Sequence, residues 1–152
     1  MPKADAIVNL PGLTVLRTEI GNPTIVEVKP TYRRICCPSC QSINLRKKAR
    51  ITRRVQHESI GRRTCLLIIH AHKFCCKDCG RYFNQRINGV TPGFKGSQKL
   101  KEQLFDLHVK GVSHSDIAKD QKLSHSTLTR WFNECYELEG SKYANRHCPT
   151  IM

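Results

Sequence analysis

The chain contains nine cysteines, and these are the residues whose types and spacing most clearly indicate chemistry. Four of them form two C-x-x-C pairs, Cys37 with Cys40 in CPSC and Cys76 with Cys79 in CKDCG. A C-x-x-C turn brings two thiolates to one metal ion while its backbone amides hydrogen-bond to the sulfurs, and two such turns supply four soft ligands. The spacing therefore predicts one structural Zn²⁺ per chain, with these four cysteines as its ligands.

Another cysteine precedes each pair, so the choice of ligands has an alternative. Cys36 and Cys75 would replace Cys37 and Cys76 if the turns had C-x-x-x-C spacing. We prefer the tighter spacing, and Gly80 suits the positive φ angle that commonly ends such a turn.

A redox-active cysteine pair is the alternative to a metal site. Such a motif usually begins a helix of a βαβ unit, whereas both pairs here follow extended segments. Cys65, Cys135 and Cys148 have no partner at ligand spacing, and we interpret them as packed or surface thiols. His70 and His72 alternate along a predicted strand, and because four cysteines already fill the site we expect both to be packed or exposed.

The elements that position the cysteines are predicted to be β-hairpins. Alternating branched and polar residues predict one hairpin at 13–20 and 24–30, with GNP as its turn. A second hairpin, inserted between the two cysteine pairs, accounts for their long separation, and RRTCLLIIHAHKFCC is its clearest strand. The core of a β-module of about 50 to 80 residues seldom contributes more than about 3–5 kcal/mol to stability. We therefore expect folding of this part to be coupled to metal binding.

The stretch VTPGFKGSQ at 90–98 interrupts strands and helices and predicts a boundary between two modules. We expect a β-rich zinc-ribbon domain at 8–90, a helical domain at 96–139, and a linker at 140–152, where the sequence is polar and unpatterned. The predicted fold class is α+β, with N-terminal β-hairpins that carry a zinc-ribbon knuckle site, followed by a three-helix helix-turn-helix module.

Three helices are predicted from the apolar periodicity and the capping residues. Leu100, Leu104 and Leu107 share one face of the first helix. Gly111 suits its C-cap, and Ser113 suits the N-cap of the second helix. The other predicted cap and core positions are Ser124, Ile117, Ala118, Leu128, Trp131 and Phe132.

The third helix is predicted to read DNA. In a helix-turn-helix this helix presents its N-terminal polar side chains to base edges in the major groove. The candidate base-reading residues are His125, Ser126, Thr127, Thr129 and Arg130. The turn carries Gln121 and Lys122 where a glycine often lies. The alternative is an ordinary helical bundle.

The charge of the chain favours a polyanionic partner. Lys and Arg number 26 against 12 Asp and Glu, which gives a net charge of +14. The densest basic segment contains one acid, Glu58, and the candidate phosphate-binding residues Arg46, Lys47, Lys48, Arg50, Arg53, Arg54, Arg62 and Arg63. Double-stranded DNA is the leading candidate partner, and a solvated basic face is the alternative.

The N-terminus lacks the apolar region of a secretory signal, and the longest apolar stretch, CLLIIHA, is far shorter than the roughly 20 residues that span a bilayer. These features predict a cytoplasmic protein with no membrane contact.

The order of the motifs resembles the N-terminal part of bacterial insertion-sequence transposases of the ISL-three family. The matching stretches are RRICCPSC, the basic segment, HKFCCKDCGRYFNQRI and KGVSHSDIAKDQKLSHSTLTRWF, which together cover nearly the whole chain. The resemblance implies zinc binding and sequence-specific binding to the terminal inverted repeats of a transposon, in a nucleoid-associated protein. Full-length transposase or a second copy of the chain would be further partners.

The resemblance also implies an RNase H-like catalytic domain, with Asp, Asp and Glu metal ligands, beyond the point where this chain stops. Two-metal phosphoryl transfer needs converging carboxylates, whereas the acids of this chain are scattered. Asp116 and Asp120 are better explained by helix capping and solvation. We therefore expect DNA binding without catalysis. The alternatives are a free-standing zinc-ribbon and helix-turn-helix transcription regulator and a cysteine-based redox protein.

Overall fold

The computed structural model of the protein describes residues 8–31 and 34–143. The chain divides into two compact units, Met1–Leu100 and Lys101–Met152. The first unit contains a mixed β-sheet, and most of the helical structure belongs to the second. The α+β class predicted from the sequence is therefore confirmed.

The sheet is built from two hairpins and one short strand. Its strands are β1 (Leu13–Glu19), β2 (Thr24–Pro30), β3 (Leu45–Ile60), β4 (Arg63–Cys76) and β5 (Tyr82–Asn84). Their order is β1-β2-β4-β3, and β5 pairs with β4. Strand β2 runs parallel to β4, whereas β3 and β5 run antiparallel to it. The first hairpin confirms the prediction, but β5 was missed because three residues are too few to show a periodicity.

Strand β4 provides the centre of the hydrophobic core. Successive side chains of a strand point to opposite faces, so Cys65, Leu67, Ile69 and Ala71 all lie on one face, and all are buried. The side chains that pack on this face with them include Val8, Leu10, Leu13, Val26, Val28, Val55, Ile87 and Val90. A fully buried Leu or Ile contributes about 1.5–3 kcal/mol. The core therefore covers one face of the sheet.

The β3–β4 hairpin spans the region between the two cysteine pairs. Its turn lies between Ile60 and Arg63, where Gly61 has a φ of 64°, in the left-handed region that glycine adopts without steric cost. The half of β3 next to this turn contributes buried residues to the core, whereas Arg46–Arg50 at the other end are all exposed. The hairpin is thus longer than the core that supports it.

A buried histidine, His57, contacts both the segment that precedes the first strand and the segment that follows the last strand. The Nε2 atom of His57, on β3, lies 2.7 Å from the carbonyl oxygen of Val8, and its Nδ1 atom lies 2.8 Å from Ser97 Oγ. The Leu100 amide donates to Ser97 Oγ at 3.1 Å. Because a buried polar group is costly without hydrogen bonds, these contacts keep the ring satisfied inside the core.

Residues 98–143 form three α-helices, α1 (Gln98–Val109), α2 (His114–Gln121) and α3 (His125–Tyr143), as predicted. The predicted core residues Leu104, Ile117, Leu128, Trp131 and Phe132 are buried, as is Leu100, whereas Leu107 and Ala118 are half-buried. Among the helices that the structure describes, none has the length and apolarity needed to cross a membrane.

The predicted helix caps are present. Ser113 precedes α2, and its Oγ accepts a hydrogen bond from the Asp116 amide at 3.2 Å. Ser124 Oγ accepts one from the Thr127 amide at 3.3 Å at the start of α3. Between α2 and α3, Lys122 has a φ of 53° and takes the left-handed conformation that glycine often supplies. The missing glycine therefore does not prevent a tight turn.

Helix α3 extends beyond its predicted end. It continues through Gly140 to Tyr143, so the linker predicted at 140–152 begins inside the helix. One glycine costs a helix about 1 kcal/mol, which the rest of a long helix offsets. Residues 144–152, including Cys148, lie outside the described residues.

A buried ion pair joins α1 to α3. Lys101 Nζ lies 2.7 Å from Glu134 Oε2, and the Lys101 side chain is only 5% exposed. The same ammonium lies 5.6 Å from the centre of the Trp131 ring, within the range of a cation–π contact. A buried lysine is costly unless it is paired, so this contact favours one arrangement of the two helices.

Candidate functional site

Four cysteine side chains meet at the end of the β3–β4 hairpin that lies away from its turn. The Sγ atoms of Cys37, Cys40, Cys76 and Cys79 all lie within 4.8 Å of one another. The shortest separations are 3.6 Å between Cys37 and Cys79 and 3.5 Å between Cys40 and Cys76. These are the four cysteines that the sequence predicted as ligands, and they are close enough to hold one metal ion.

The hairpin itself brings the two cysteine pairs together. The first pair lies just before β3, and the second begins with Cys76, the last residue of β4. Antiparallel pairing places Leu45 opposite Cys76, so the chain returns to its starting point. The long separation of the pairs in sequence is therefore spanned by strand pairing.

The two cysteine turns have the same backbone hydrogen bonds. In the first, the Cys37 amide donates to the carbonyl of Ser42 at 2.8 Å, and the Gln41 amide donates to the carbonyl of Cys37 at 3.0 Å. The second turn has equivalent bonds from Cys76 at 2.9 Å and from Gly80 at 3.0 Å. Gln41 and Gly80 occupy equivalent positions and have φ angles of 59° and 71°. The positive φ was predicted for Gly80 only, because glycine favours this conformation and a glutamine such as Gln41 does not.

Backbone amides and neighbouring sulfurs set the acidity of the four thiols. The Cys40 amide lowers the pKa of Cys37 to about 6, although burial opposes this. The Cys79 amide likewise lowers the pKa of Cys76. The Ser42 amide lowers the pKa of Cys40, but the nearby sulfur of Cys76 and burial outweigh it and raise that pKa to about 12. Adjacent thiols do not all ionise readily by themselves, and a bound cation favours the thiolate forms of all four.

Polar side chains join the two cysteine turns. Asp78 of the second turn accepts hydrogen bonds from the Ser42 hydroxyl and, at 2.9 Å, from Asn44 Nδ2. These two bonds, that of Ser42 first, lower the pKa of Asp78. Arg81 donates to the hydroxyl of Ser39. These residues were not predicted from the sequence, because their partners are distant in the chain.

The additional cysteines at the site face other partners. Cys36 Sγ lies 3.5 Å from Gln41 Oε1, and Cys75 Sγ lies 3.6 Å from the carbonyl oxygen of Cys76. Neither belongs to the cluster of four. The geometry therefore favours the C-x-x-C choice of ligands over the C-x-x-x-C alternative.

The remaining cysteines and histidines singled out in the sequence lie elsewhere. Cys65 is buried in the core, where burial raises its pKa to about 11, and Cys135 is buried in the helical unit. His70 Nε2 lies 3.4 Å from Glu27 Oε2 on the adjacent strand, and His72 is half-buried. These positions fit packed or surface roles.

The eight basic candidates for phosphate binding lie on β3 and at its turn into β4. Seven of them are exposed, namely Arg46, Lys47, Lys48, Arg50, Arg54, Arg62 and Arg63. Arg53 differs, because it points to the core face and its Nη2 donates to the carbonyls of Thr91 and Phe94, both at 3.2 Å. Arg53 therefore holds the 91–94 loop against the sheet.

A groove lies beside the first cysteine turn. One cavity of about 300 Å³ is lined by residues that include Arg34, Cys36, Phe83 and Arg86. A second, of about 880 Å³, continues past Arg86 towards the 91–93 loop. Arg34 and Arg86 fall outside the dense basic segment, so they were not among the basic residues predicted to bind phosphate.

The predicted base-reading residues lie in the first turns of α3. His125, Ser126, Thr129 and Arg130 are exposed, and Thr127 is half-buried. Leu128, Trp131 and Phe132 point the other way and are buried. One face of α3 therefore packs inside the helical unit, and the other presents polar side chains to solvent.

Three comparisons with known proteins give no match: no protein-family model, no curated protein and no solved structure matches the chain. The resemblance to ISL-three transposases therefore remains a prediction from the sequence motifs.

Proposed function

We propose that the four-cysteine cluster binds one structural Zn²⁺. A tetrahedral zinc with Zn–S bonds of about 2.3 Å separates its sulfurs by about 3.8 Å. The observed shortest separations of 3.5 and 3.6 Å are close to this value. Each joins a cysteine of one turn to a cysteine of the other. A redox-active C-x-x-C motif instead forms a disulfide within its own pair, so the arrangement favours a metal.

The zinc proposal is tested by metal analysis of protein purified without added zinc. We expect about one zinc per chain, and Cys37→Ser should remove it. Cys36→Ser is the matched control, because this adjacent thiol lies outside the cluster, and it should retain the metal. Folded protein without zinc, or equal losses in the two variants, would contradict the proposal.

We propose further that the chain binds double-stranded DNA in a sequence-specific manner, with α2 and α3 as a helix-turn-helix. The observation that carries this proposal is the exposed polar surface at the start of α3, with the buried Leu128 and Trp131 behind it. The N-terminal residues of a recognition helix contact base edges in the major groove. His125, Ser126, Thr129 and Arg130 have side chains suited to such contacts.

The exposed cations of β3 support the same function. Phosphate contacts supply affinity without sequence information, whereas base contacts supply discrimination. We assign the first role to β3, chiefly to Arg50 and Arg54, and the second role to α3. The net charge of +14 is consistent with a polyanionic partner. The resemblance to ISL-three transposases makes transposon ends the proposed target.

Selection from a pool of random duplexes tests DNA binding and identifies the preferred sequence. Affinities for the selected and an unrelated duplex are then measured at several salt concentrations. Arg50→Ala with Arg54→Ala should weaken binding to both duplexes and flatten the salt dependence. Arg130→Ala should cost roughly 1–3 kcal/mol, mainly on the selected duplex. Lys29→Ala, which removes an exposed cation from β2, is the matched control and should change neither.

Two results would count against this assignment. No binding to any duplex at low salt would refute DNA binding, and an unchanged salt dependence in the β3 variant would refute the role of that strand. The selected sequence also separates the biological alternatives. A match to terminal inverted repeats flanking the gene supports a transposase role, whereas a match to promoter regions supports a transcription regulator.

A further inference from the structure

We propose that His108, His114 and His125 form a second metal site, in the helical unit and separate from the cysteines. His108 lies in the last turn of α1, and the other two are the first residues of α2 and α3. His108 Nε2 and His114 Nε2 are 3.4 Å apart. The ring of His125 lies 5.5 Å from that of His114, centre to centre. His114 therefore has one imidazole from each of the other two helices beside it.

The distance between the two Nε2 atoms fits a shared metal ion. Zinc–nitrogen bonds are about 2.0–2.1 Å, so two nitrogens on a tetrahedral zinc lie about 3.3–3.4 Å apart. The His108–His114 separation of 3.4 Å equals this spacing. A hydrogen bond between two neutral rings would also bring these nitrogens together, and the Ni²⁺ experiment below separates that case from a metal site.

The surroundings hold the first two rings in place. His108 stacks on Phe132, with ring centres 5.0 Å apart and planes 9° from parallel, and His114 meets the same ring edge-on at 4.9 Å. His108 Nδ1 lies 3.5 Å from the carbonyl oxygen of Val112. Metal-binding histidines usually donate their second ring N–H to such an acceptor, which leaves the other nitrogen free for the metal. His108 has this arrangement, with Nε2 facing His114.

His125 completes the site by a side-chain rotation. In the described part of the chain, only the four cysteines already bring three or more ligand atoms within 4.8 Å of one another. His125 is exposed, and its Nδ1 lies 3.5 Å from Thr129 Oγ1. This weak contact is a small barrier to rotation. Imidazole ligands suit Zn²⁺, Ni²⁺ and Cu²⁺, so the site would take a divalent transition metal, with water in the remaining positions.

A metal at this site would join the ends of all three helices. Binding to the folded state alone stabilises that state in proportion to the logarithm of metal concentration over Kd. It would also move His125 away from the surface proposed to contact DNA. The site itself does not depend on DNA binding, and its test uses no DNA.

The test measures Ni²⁺ binding to the full chain whose cysteine site is already loaded with zinc. Ni²⁺ is the probe because imidazole suits it well. Wild-type protein should bind one Ni²⁺ by calorimetry without losing zinc, and His108→Ala should reduce the affinity at least tenfold. His125→Ala, at an exposed position, should reduce it by a smaller factor. His70→Ala with His72→Ala is the matched control on β4 and should bind Ni²⁺ like the wild type.

A second measurement covers the case in which a core histidine variant fails to fold. Substoichiometric Cu²⁺ broadens the NMR signals of histidine rings close to it, and in wild-type protein it should broaden those of His108, His114 and His125 before those of His70 and His72. No Ni²⁺ binding by the zinc-loaded chain would show that the histidines only hydrogen-bond to one another. Equal broadening of all five rings, or full binding by His108→Ala, would overturn the site.

Discussion

The two ends of the β3–β4 hairpin differ in how far the hydrophobic core covers them. Near the turn, Val55 and Leu67 are fully buried in an apolar core that also receives side chains from β1, β2 and the flanking segments. At the far end, five successive residues of β3, Arg46–Arg50, are exposed, and the buried side chains of β4 are Phe74 and Cys76. The cysteine cluster lies at this second end.

This difference defines what the proposed zinc would contribute to the fold. A hydrophobic core stabilises only the strands that it covers, and this core covers only part of the long hairpin. Coordination is directional and local, so the proposed zinc would stabilise, through its four thiolates, a segment that has too few apolar side chains for packing. The two ends should therefore respond differently to the same treatment, and the following predictions test that difference in order of decreasing effect.

Metal removal should have the largest effect, and the effect should be confined to the far end. Apparent binding energies of structural zinc reach about 10–16 kcal/mol in small zinc peptides. With a chelator, the amides of residues 37–50 and 72–81 should exchange rapidly with solvent, while those around Val55 and Leu67 stay protected. Hydrogen exchange followed by mass spectrometry measures this. Loss of protection throughout the hairpin would mean that the two ends fold as one unit.

Truncating a core side chain should have the next largest effect. It should destabilise the core end of the hairpin and leave the cysteine cluster intact. Leu67→Ala removes a side chain with 0% exposure and should lower the free energy of unfolding by about 2–5 kcal/mol. The neighbouring Leu66→Ala is the matched control, because Leu66 is half-exposed on the other face, and it should cost less than half as much. Urea denaturation of the zinc-loaded proteins measures both, and zinc content should be unchanged.

Acid should weaken the core end through His57. Burial lowers the pKa of His57 below its ordinary value of 6.5. Above about pH 6.5 the ring is neutral in both the folded and the unfolded chain, so it adds no pH dependence. As pH falls below this value, the unfolded chain binds a proton that the folded core does not accept, and stability falls by at most about 1.4 kcal/mol per pH unit.

His57→Gln separates this effect from acid release of the metal. The variant retains the cysteine cluster, so the difference in stability between wild type and variant, measured from pH 7.5 to pH 5, isolates the histidine. The wild type should lose more stability than the variant over this range. A constant difference would show that His57 does not contribute to the pH dependence.

The two cysteine turns allow the finest test, because equivalent positions carry different residues. A Cβ atom added at Gly80 meets no atom within 4 Å, so Gly80→Ala is penalised only by its φ of 71°. This conformation costs roughly 1–2 kcal/mol, or about a fivefold to thirtyfold loss of zinc affinity. Gln41→Gly relieves the same strain in the first turn and should raise the affinity. If both substitutions changed the zinc affinity in the same direction, the φ angles at these two positions would not determine it.

The features predicted correctly from sequence are those with a local signal. The C-x-x-C spacing selected the four clustered cysteines, and Ser113 and Ser124 were identified as helix caps from their own neighbourhoods. The branched residues of the first hairpin alternate with a period of two, which any half-buried strand shows. Such signals need no knowledge of distant contacts.

The features that were missed depend on partners far away in the chain. Arg53 resembles the other cations of its segment in sequence, yet its guanidinium binds carbonyl groups some forty residues later. The full burial of His57 depends on Val8 and Ser97. Gln41 has a positive φ because the turn closes around a cluster shared with the second pair. The density of Lys and Arg in this segment therefore gave no sign that Arg53, unlike the other seven candidates, is not exposed. It also gave no indication that His57 is buried.

The position of β3 in the sheet gives its cations a second consequence. It is an edge strand, and within the described ranges only its Gln56 has a bridge on the side away from β4, to Gly96. An exposed edge can pair with the edge of another molecule and lead to aggregation, and rows of like charge prevent this approach. The residues proposed to attract DNA should therefore also keep separate copies of the protein apart. Solubility should be lowest where salt screens these charges and no polyanion is bound.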